Sequence, residues 1–188
     1  MIPGHSQEIL GHRTYKKIGD LFLEKGIIPI PAIIQWKRSG DLETFKGYVE
    51  EFKDQFRAKR SDEVYLLGFS LGAMIAFLTA PGINPKVLLL GSLSPFFRED
   101  WMQMKDSWRK DWKKDYKGSD YSFNSYAKKI RSKTMIFVGD QEGEIAINRA
   151  RQAGKLIKHS KLIIVKNGKH NIGQRQYLNA LKKEISRL

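Results

Sequence analysis

Cysteine is absent from the 188 residues. Its absence excludes a disulfide framework, a thiolate metal site and a cysteine nucleophile. No apolar run approaches the roughly 18 residues that a membrane-spanning helix requires, and no basic-then-apolar leader with a cleavage site is visible. A cytoplasmic location is therefore the expectation. The spacing HExxH and its relatives are lacking, and the glycines near residue 70 are not followed by the Lys-Ser/Thr pair of a phosphate-binding loop. No metal and no cofactor are expected.

Acidic residues are scarce. Against 34 Lys plus Arg stand 20 Asp plus Glu, a formal +14, which favours anionic partners. The basic residues are scattered, with acids interrupting them throughout, so they read as a solvated cationic surface with weak association with acidic surfaces. A clustered basic stripe with interleaved aromatics is approached only in "WRKDWKKDYK" at 108–117, and no specific nucleic-acid partner is expected.

What is present is the composition of a globular chain, 41% hydrophobic and 11% aromatic, of a length suited to one domain with one substantial core. Strand-like runs occur at 27–34 (IIPIPAII), 64–69 (VYLLGF), 86–92 (KVLLLGS), 133–139 (KTMIFVG) and 161–167 (KLIIVKN). Helical patterns lie between or around them at 15–25, 42–59, after Ser70, at 146–158 and at 176–188. Continuous apolar strands alternating with helices predict a mostly parallel sheet covered on both faces, a three-layer α/β/α sandwich. No repeat and no Ser/Gly-rich linker divides the chain, so 1–188 reads as one domain. Residues 94–130 exceed a simple crossover and carry an aromatic stripe of Trp101, Met104, Trp108, Trp112 and Tyr116 at spacings of three and four. This predicts an amphipathic helix, which packs on the body of the domain or serves as a lid over a pocket.

Within "VYLLGFSLGAMIAF", Gly68, Phe69, Ser70, Leu71 and Gly72 form G-x-S-x-G between a strand and a helix. A serine on so sharp a turn needs small neighbours, and its hydroxyl is thrust out at the carboxyl edge of the sheet. The helix that follows opens with unpartnered amides, so the Leu71 N–H is placed to donate to an oxyanion. A serine hydroxyl needs a base and an acid that orients the base. His170, in "VKNGKHNIG", follows the last apolar strand and falls at the same edge. "FVGDQEGEI" supplies Asp140, Glu142 and Glu144 from the loop after the preceding strand.

Nucleophile, acid and histidine, in that chain order after successive strands, resemble the α/β-hydrolase family over nearly the whole chain. In that family the acid often falls in a strand-end pattern G-x-x-D. Gly139, Asp140, Gln141 and Glu142 match it with glutamate last, so the resemblance points to Glu142, with Asp140 in reserve and Glu144 as a surface charge. The family's G-x-H ending is matched by Gly168, Lys169 and His170. The resemblance also implies a second oxyanion donor from "IPGHS" at 2–6, where Gly4 permits close approach and the amide of His5 or Ser6 donates. It implies a serine hydrolase, expected to act on a small carboxylic ester or related acyl compound, and the aromatic residues Phe69, Phe96 and Trp101 would suit the apolar part of such a substrate. A non-catalytic binding protein of the same fold is the alternative.

The chain departs from the family where only Met1, Ile2 and Pro3 stand for the strand before the oxyanion loop. That strand would lie between 27–34 and 64–69, and a gap there would orphan two rows of backbone groups. A rearranged sheet, another chain in the gap, or an apolar strand upstream of this sequence would each resolve it; the upstream strand is the expectation.

Overall fold

The computed structural model describes residues 1–5, 13–36, 45–57, 59, 62–103 (101–103 as backbone only) and 121–188. Four of the apolar runs form a parallel sheet: β1 (Tyr65–Phe69), β2 (Val87–Gly91), β3 (Lys133–Gly139) and β4 (Ser160–Val165), in the order β1-β2-β3-β4. The register pairs Phe69 with Gly91, Gly91 with Phe137, and Gly139 with Val165. The loops after β1, β3 and β4 therefore leave from one edge.

Among the described residues the α-helices are α1 (Arg13–Leu23), α2 (Phe45–Gln55), α3 (Leu71–Ile83), α4 (Phe123–Ala127), α5 (Glu144–Leu156) and α6 (Arg175–Ile185). Alternation along the strands divides the apolar side chains between two faces. Leu66, Leu88, Leu90, Ile136 and Val138 pack with residues of α2, α3, α4 and α5. Leu67, Phe69, Leu89, Met135 and Phe137 pack with α1 and α6. Helix α3 is apolar on every side and is buried from Leu71 to Ala80, as expected of a helix covered by other helices as well as by the sheet.

Residues 27–34 differ from the sequence-based expectation of a strand. Their neighbour is the short segment Met1–Pro3, which occupies the slot beside β1. The Ile2 amide donates to the Leu67 carbonyl at 2.8 Å, the Phe69 amide donates to Ile2 at 3.2 Å, and Ile2 bridges Gly68 in parallel. On the other side the Ala32 amide donates to Met1 at 2.8 Å. With so short a partner, and with Pro29 and Pro31 unable to donate, no regular ladder forms, and Ile28 and Ile30 are left 78% and 74% exposed. The side chain of Gln55 on α2 takes over the backbone of Ile33, accepting from its amide at 2.9 Å and donating to its carbonyl at 2.7 Å.

The chain that enters and leaves the 94–130 segment is pinned at its base. Glu99 accepts from Ser122 Oγ at 2.7 Å and from the Phe123 amide at 2.9 Å, at the start of α4. Asp100 forms a buried ion pair with Arg149 of α5, whose guanidinium lies 3.9 Å from the centre of the Phe123 ring. The predicted aromatic stripe, from the Trp101 side chain to Tyr116, and with it the candidate lid, lies outside the described residues. Among the described residues no helix is long and apolar enough to cross a membrane.

Candidate active site

Ser70 is the residue between β1 and α3, and it has φ 55° and ψ −123°. A non-glycine residue at positive φ is held there only by its surroundings, here at a cost of about 1–3 kcal/mol. The surroundings are visible at its two glycines. A Cβ on Gly68 would lie 2.2 Å from the Gly72 carbonyl oxygen, and a Cβ on Gly72 would lie 2.2 Å from the carbonyl oxygen of Pro3. The turn is thus packed backbone against backbone, and the N-terminal segment lies directly against it.

His170 brings its Nε2 to 2.9 Å from Ser70 Oγ. Its Nδ1 lies 2.8 Å from Glu142 Oε2. An ionised carboxylate only accepts, so the hydrogen sits on Nδ1 and Nε2 accepts from the serine hydroxyl. Of the three loop carboxylates it is Glu142 that meets the imidazole. Asp140 and Glu144 are exposed, and Glu144 stands at the first position of α5.

The Glu142 side chain is 1% exposed. Burial pushes its carboxyl up, but the hydrogen bonds from His170, Tyr177, the Gly139 amide and Ser92 more than offset this and hold it below the usual value. Oε1 accepts from Ser92 Oγ at 2.7 Å, from the Gly139 amide at 2.8 Å and from the Tyr177 hydroxyl. Sequence reasoning did not single out Ser92 or Tyr177, which lie 50 and 35 residues from Glu142. It also missed Ser94, whose buried Oγ is 3.3 Å from that of Ser70. The one signal for the serines was two hydroxyls, at 92 and 94, set straight after the apolar β2.

The Leu71 amide is the first of α3, beside Ser70. Gly4 lies against Ser70, since a Cβ on it would be 3.1 Å from Ser70 Cβ, and its amide donates to the Tyr15 hydroxyl at 3.3 Å. His5 follows, half-buried, with its ring 5.6 Å from that of Trp36 and its imidazole held below the ordinary value by burial. Ser6 lies outside the described residues. Phe69, expected against substrate, is 1% exposed and points into the α1/α6 face, with its ring 5.2 Å from that of His170 and 5.9 Å from that of Tyr177. Strand alternation sends Leu67 and Phe69 to the same side, so Phe69 supports the imidazole from beneath. Phe96 is partly buried against the α3 face, and the Trp101 side chain lies outside the described residues. Among the described residues no group of three or more His, Asp and Glu could hold a metal ion.

No protein-family model and no curated sequence matches the chain. Solved structures do. The chain superposes on Est1E from Butyrivibrio proteoclasticus, with ferulic acid bound, at a TM-score of 0.79 and 16% identity, covering 99% of this chain and 85% of that one. Mouse alpha/beta hydrolase domain-containing protein 10 gives a TM-score of 0.71 at 13% identity, covering 99% and 86%. A bromoperoxidase from Bacillus anthracis gives 0.64 at 13%, covering 98% and 88%. A parallel sheet between two helical layers, with a strained serine turn at its carboxyl edge and structural likeness along nearly the whole chain to these structures, the mouse alpha/beta hydrolase domain protein among them, gives this chain the α/β-hydrolase fold.

Proposed function

We propose that the chain is a serine hydrolase that cleaves a small carboxylic ester or related acyl compound through an acyl-enzyme. One observation carries the reading: Ser70 Oγ, His170 and Glu142 form a continuous hydrogen-bonded series, with contacts of 2.9 and 2.8 Å. His170 Nε2 takes the Ser70 proton as Oγ attacks the carbonyl carbon. The Leu71 amide and the amide of His5 donate to the oxyanion of the tetrahedral intermediate. Collapse expels the alcohol, which receives the proton from His170 Nε2. Water, deprotonated by the same nitrogen, then releases the acid and restores Ser70. Glu142 holds the Nδ1 tautomer and stabilises the imidazolium while it exists. Phe96 is proposed to face the apolar part of the substrate. The ferulic acid held by Est1E supports a carboxylic acyl group of modest size.

The test is intact-mass labelling with a fluorophosphonate probe, comparing the wild type with Ser70→Ala. A single adduct that is lost in the variant supports the reading; an unlabelled wild type, or an adduct that survives in Ser70→Ala, overturns it. The +14 charge favours a second reading, a non-catalytic module for an acidic partner. Salt-sensitive binding to an acidic polymer by a protein that the probe leaves unlabelled would support that one.

A further inference from the structure

The triad carboxylate is more heavily held than orienting one imidazole requires. His170 uses Oε2; the other oxygen takes the Gly139 amide and two hydroxyls that come from distant parts of the chain. Ser92 is wholly buried and stands at φ 48°, just past β2; Tyr177 is 1% exposed, on α6. Their oxygens lie 2.7 Å apart, so each is also within reach of the other.

We propose that Ser92 and Tyr177 are paired positioning residues that keep Glu142 ionised and aimed at His170 Nδ1, a role that rests on the hydrolase reading of Ser70, His170 and Glu142. Three oxygens in mutual contact share two hydroxyl protons. Both protons point at Glu142, or one hydroxyl donates to the other, which donates to Glu142. Either way the carboxylate keeps at least one hydroxyl donor besides the Gly139 amide. Burial, and the adjacent Glu142 charge, push the Tyr177 phenol up, so it stays a donor throughout the working range of pH. The pair is thus redundant by construction. Loss of one hydroxyl leaves the other free to donate directly, while loss of both leaves a buried carboxylate with only the Gly139 amide on Oε1.

A packing role alone would make a different prediction. The Tyr177 ring lies edge-on to Phe69, and Tyr177→Phe keeps that contact while removing only the oxygen. Ser92→Gly removes the other hydroxyl together with its Cβ and suits the positive φ, so both variants, and their combination, leave the Tyr177–Phe69 ring contact in place.

The experiment is the rate of fluorophosphonate labelling between pH 5 and pH 9 for the wild type, Ser92→Gly, Tyr177→Phe and the double variant. Leu181→Ala, on the same helix and buried in the same cluster, is the packing control. The expected result is a fall of roughly tenfold in the ratio of the rate at pH 5 to that at pH 8 in the double variant, because Glu142 takes up a proton at higher pH once its donors are gone. Each single variant changes that ratio by less than the square root of the double effect, and Leu181→Ala leaves it unchanged whatever it does to stability. A double variant whose pH dependence superimposes on that of a labelled wild type overturns the positioning role and leaves the hydrolase reading standing. A wild type that is not labelled at all overturns the hydrolase reading, and the positioning role with it.

Discussion

Gly139 and Gly168 lie so close that a Cβ on Gly139 would come within 2.1 Å of the Gly168 carbonyl oxygen. This contact joins the end of β3, which carries the acid, to the loop that carries the histidine, and the Gln141 amide adds a hydrogen bond of 3.0 Å to the same carbonyl. The distance between Glu142 and His170 is therefore set by backbone packing as well as by their own hydrogen bond. Gly139→Ala is expected to destabilise the fold by about 2–3 kcal/mol and to slow probe labelling at least about tenfold, because the two loops must part. Denaturant unfolding and labelling kinetics on one preparation check both.

The strain at Ser70 predicts a difference in stability between two substitutions there. Ser70→Gly relieves the positive φ and Ser70→Ala does not. Ser70→Gly is therefore expected to be more stable than Ser70→Ala by about 1 kcal/mol, even after the extra entropy that glycine gives the unfolded chain. Paired urea titrations decide it, and equal stability would show that the turn stores no strain.

Glu142 links stability to pH. Its folded-state value lies below the ordinary carboxylate value, so the carboxylate contributes its full stabilisation above the unfolded-state value of about 4.3 and loses it as the pH falls through the folded value. The stability difference between the wild type and Glu142→Gln should narrow on acidification below the unfolded-state value. Unfolding curves at a series of pH values would show this, and a gap that widened toward acid would contradict the assigned direction.

Arg149 and Asp100 form a buried pair in which Asp100 Oδ2 also accepts from the Phe97 amide at 3.0 Å and Arg149 Nη1 donates to Gln152 at 2.9 Å. Arg149→Met leaves Asp100 as an uncompensated buried charge and is expected to cost about 3–5 kcal/mol. Adding Asp100→Asn, which keeps an acceptor for the Phe97 amide, should recover most of that loss. A double-mutant cycle measures the coupling.

Legibility from sequence followed the range over which each feature is specified. The β strands and helices of the body were readable because apolar runs and helical periodicity are local. Ser70, Glu142 and His170 each stand just past an apolar strand, so their shared edge could be inferred from chain order alone. The segment at 27–34 was misread because its apolar residues resemble a strand, whereas pairing depends on a neighbour that is only three residues long and on two prolines. Ser92, Ser94 and Tyr177 carry no local pattern for their roles. Their contacts cross 24 to 85 residues of chain, and only the assembled sheet brings them together. The side on which Phe69 falls was available from simple alternation with Leu67, which shows that a residue next to the serine of G-x-S-x-G can belong to the core.

Glu99, with the bond from the Arg98 amide to the Tyr121 carbonyl at 3.1 Å, ties the two roots of the 94–130 segment to each other. In terms of chain entropy, the ends of everything between those roots are already brought together by contacts that belong to the body. The remaining cost of closing that loop grows only with the logarithm of its length, about 0.6 kcal/mol for each doubling. A stretch of different length between these roots would therefore cost the fold little, because Glu99, Ser122 and Asp100 hold the two ends together independently of what joins them.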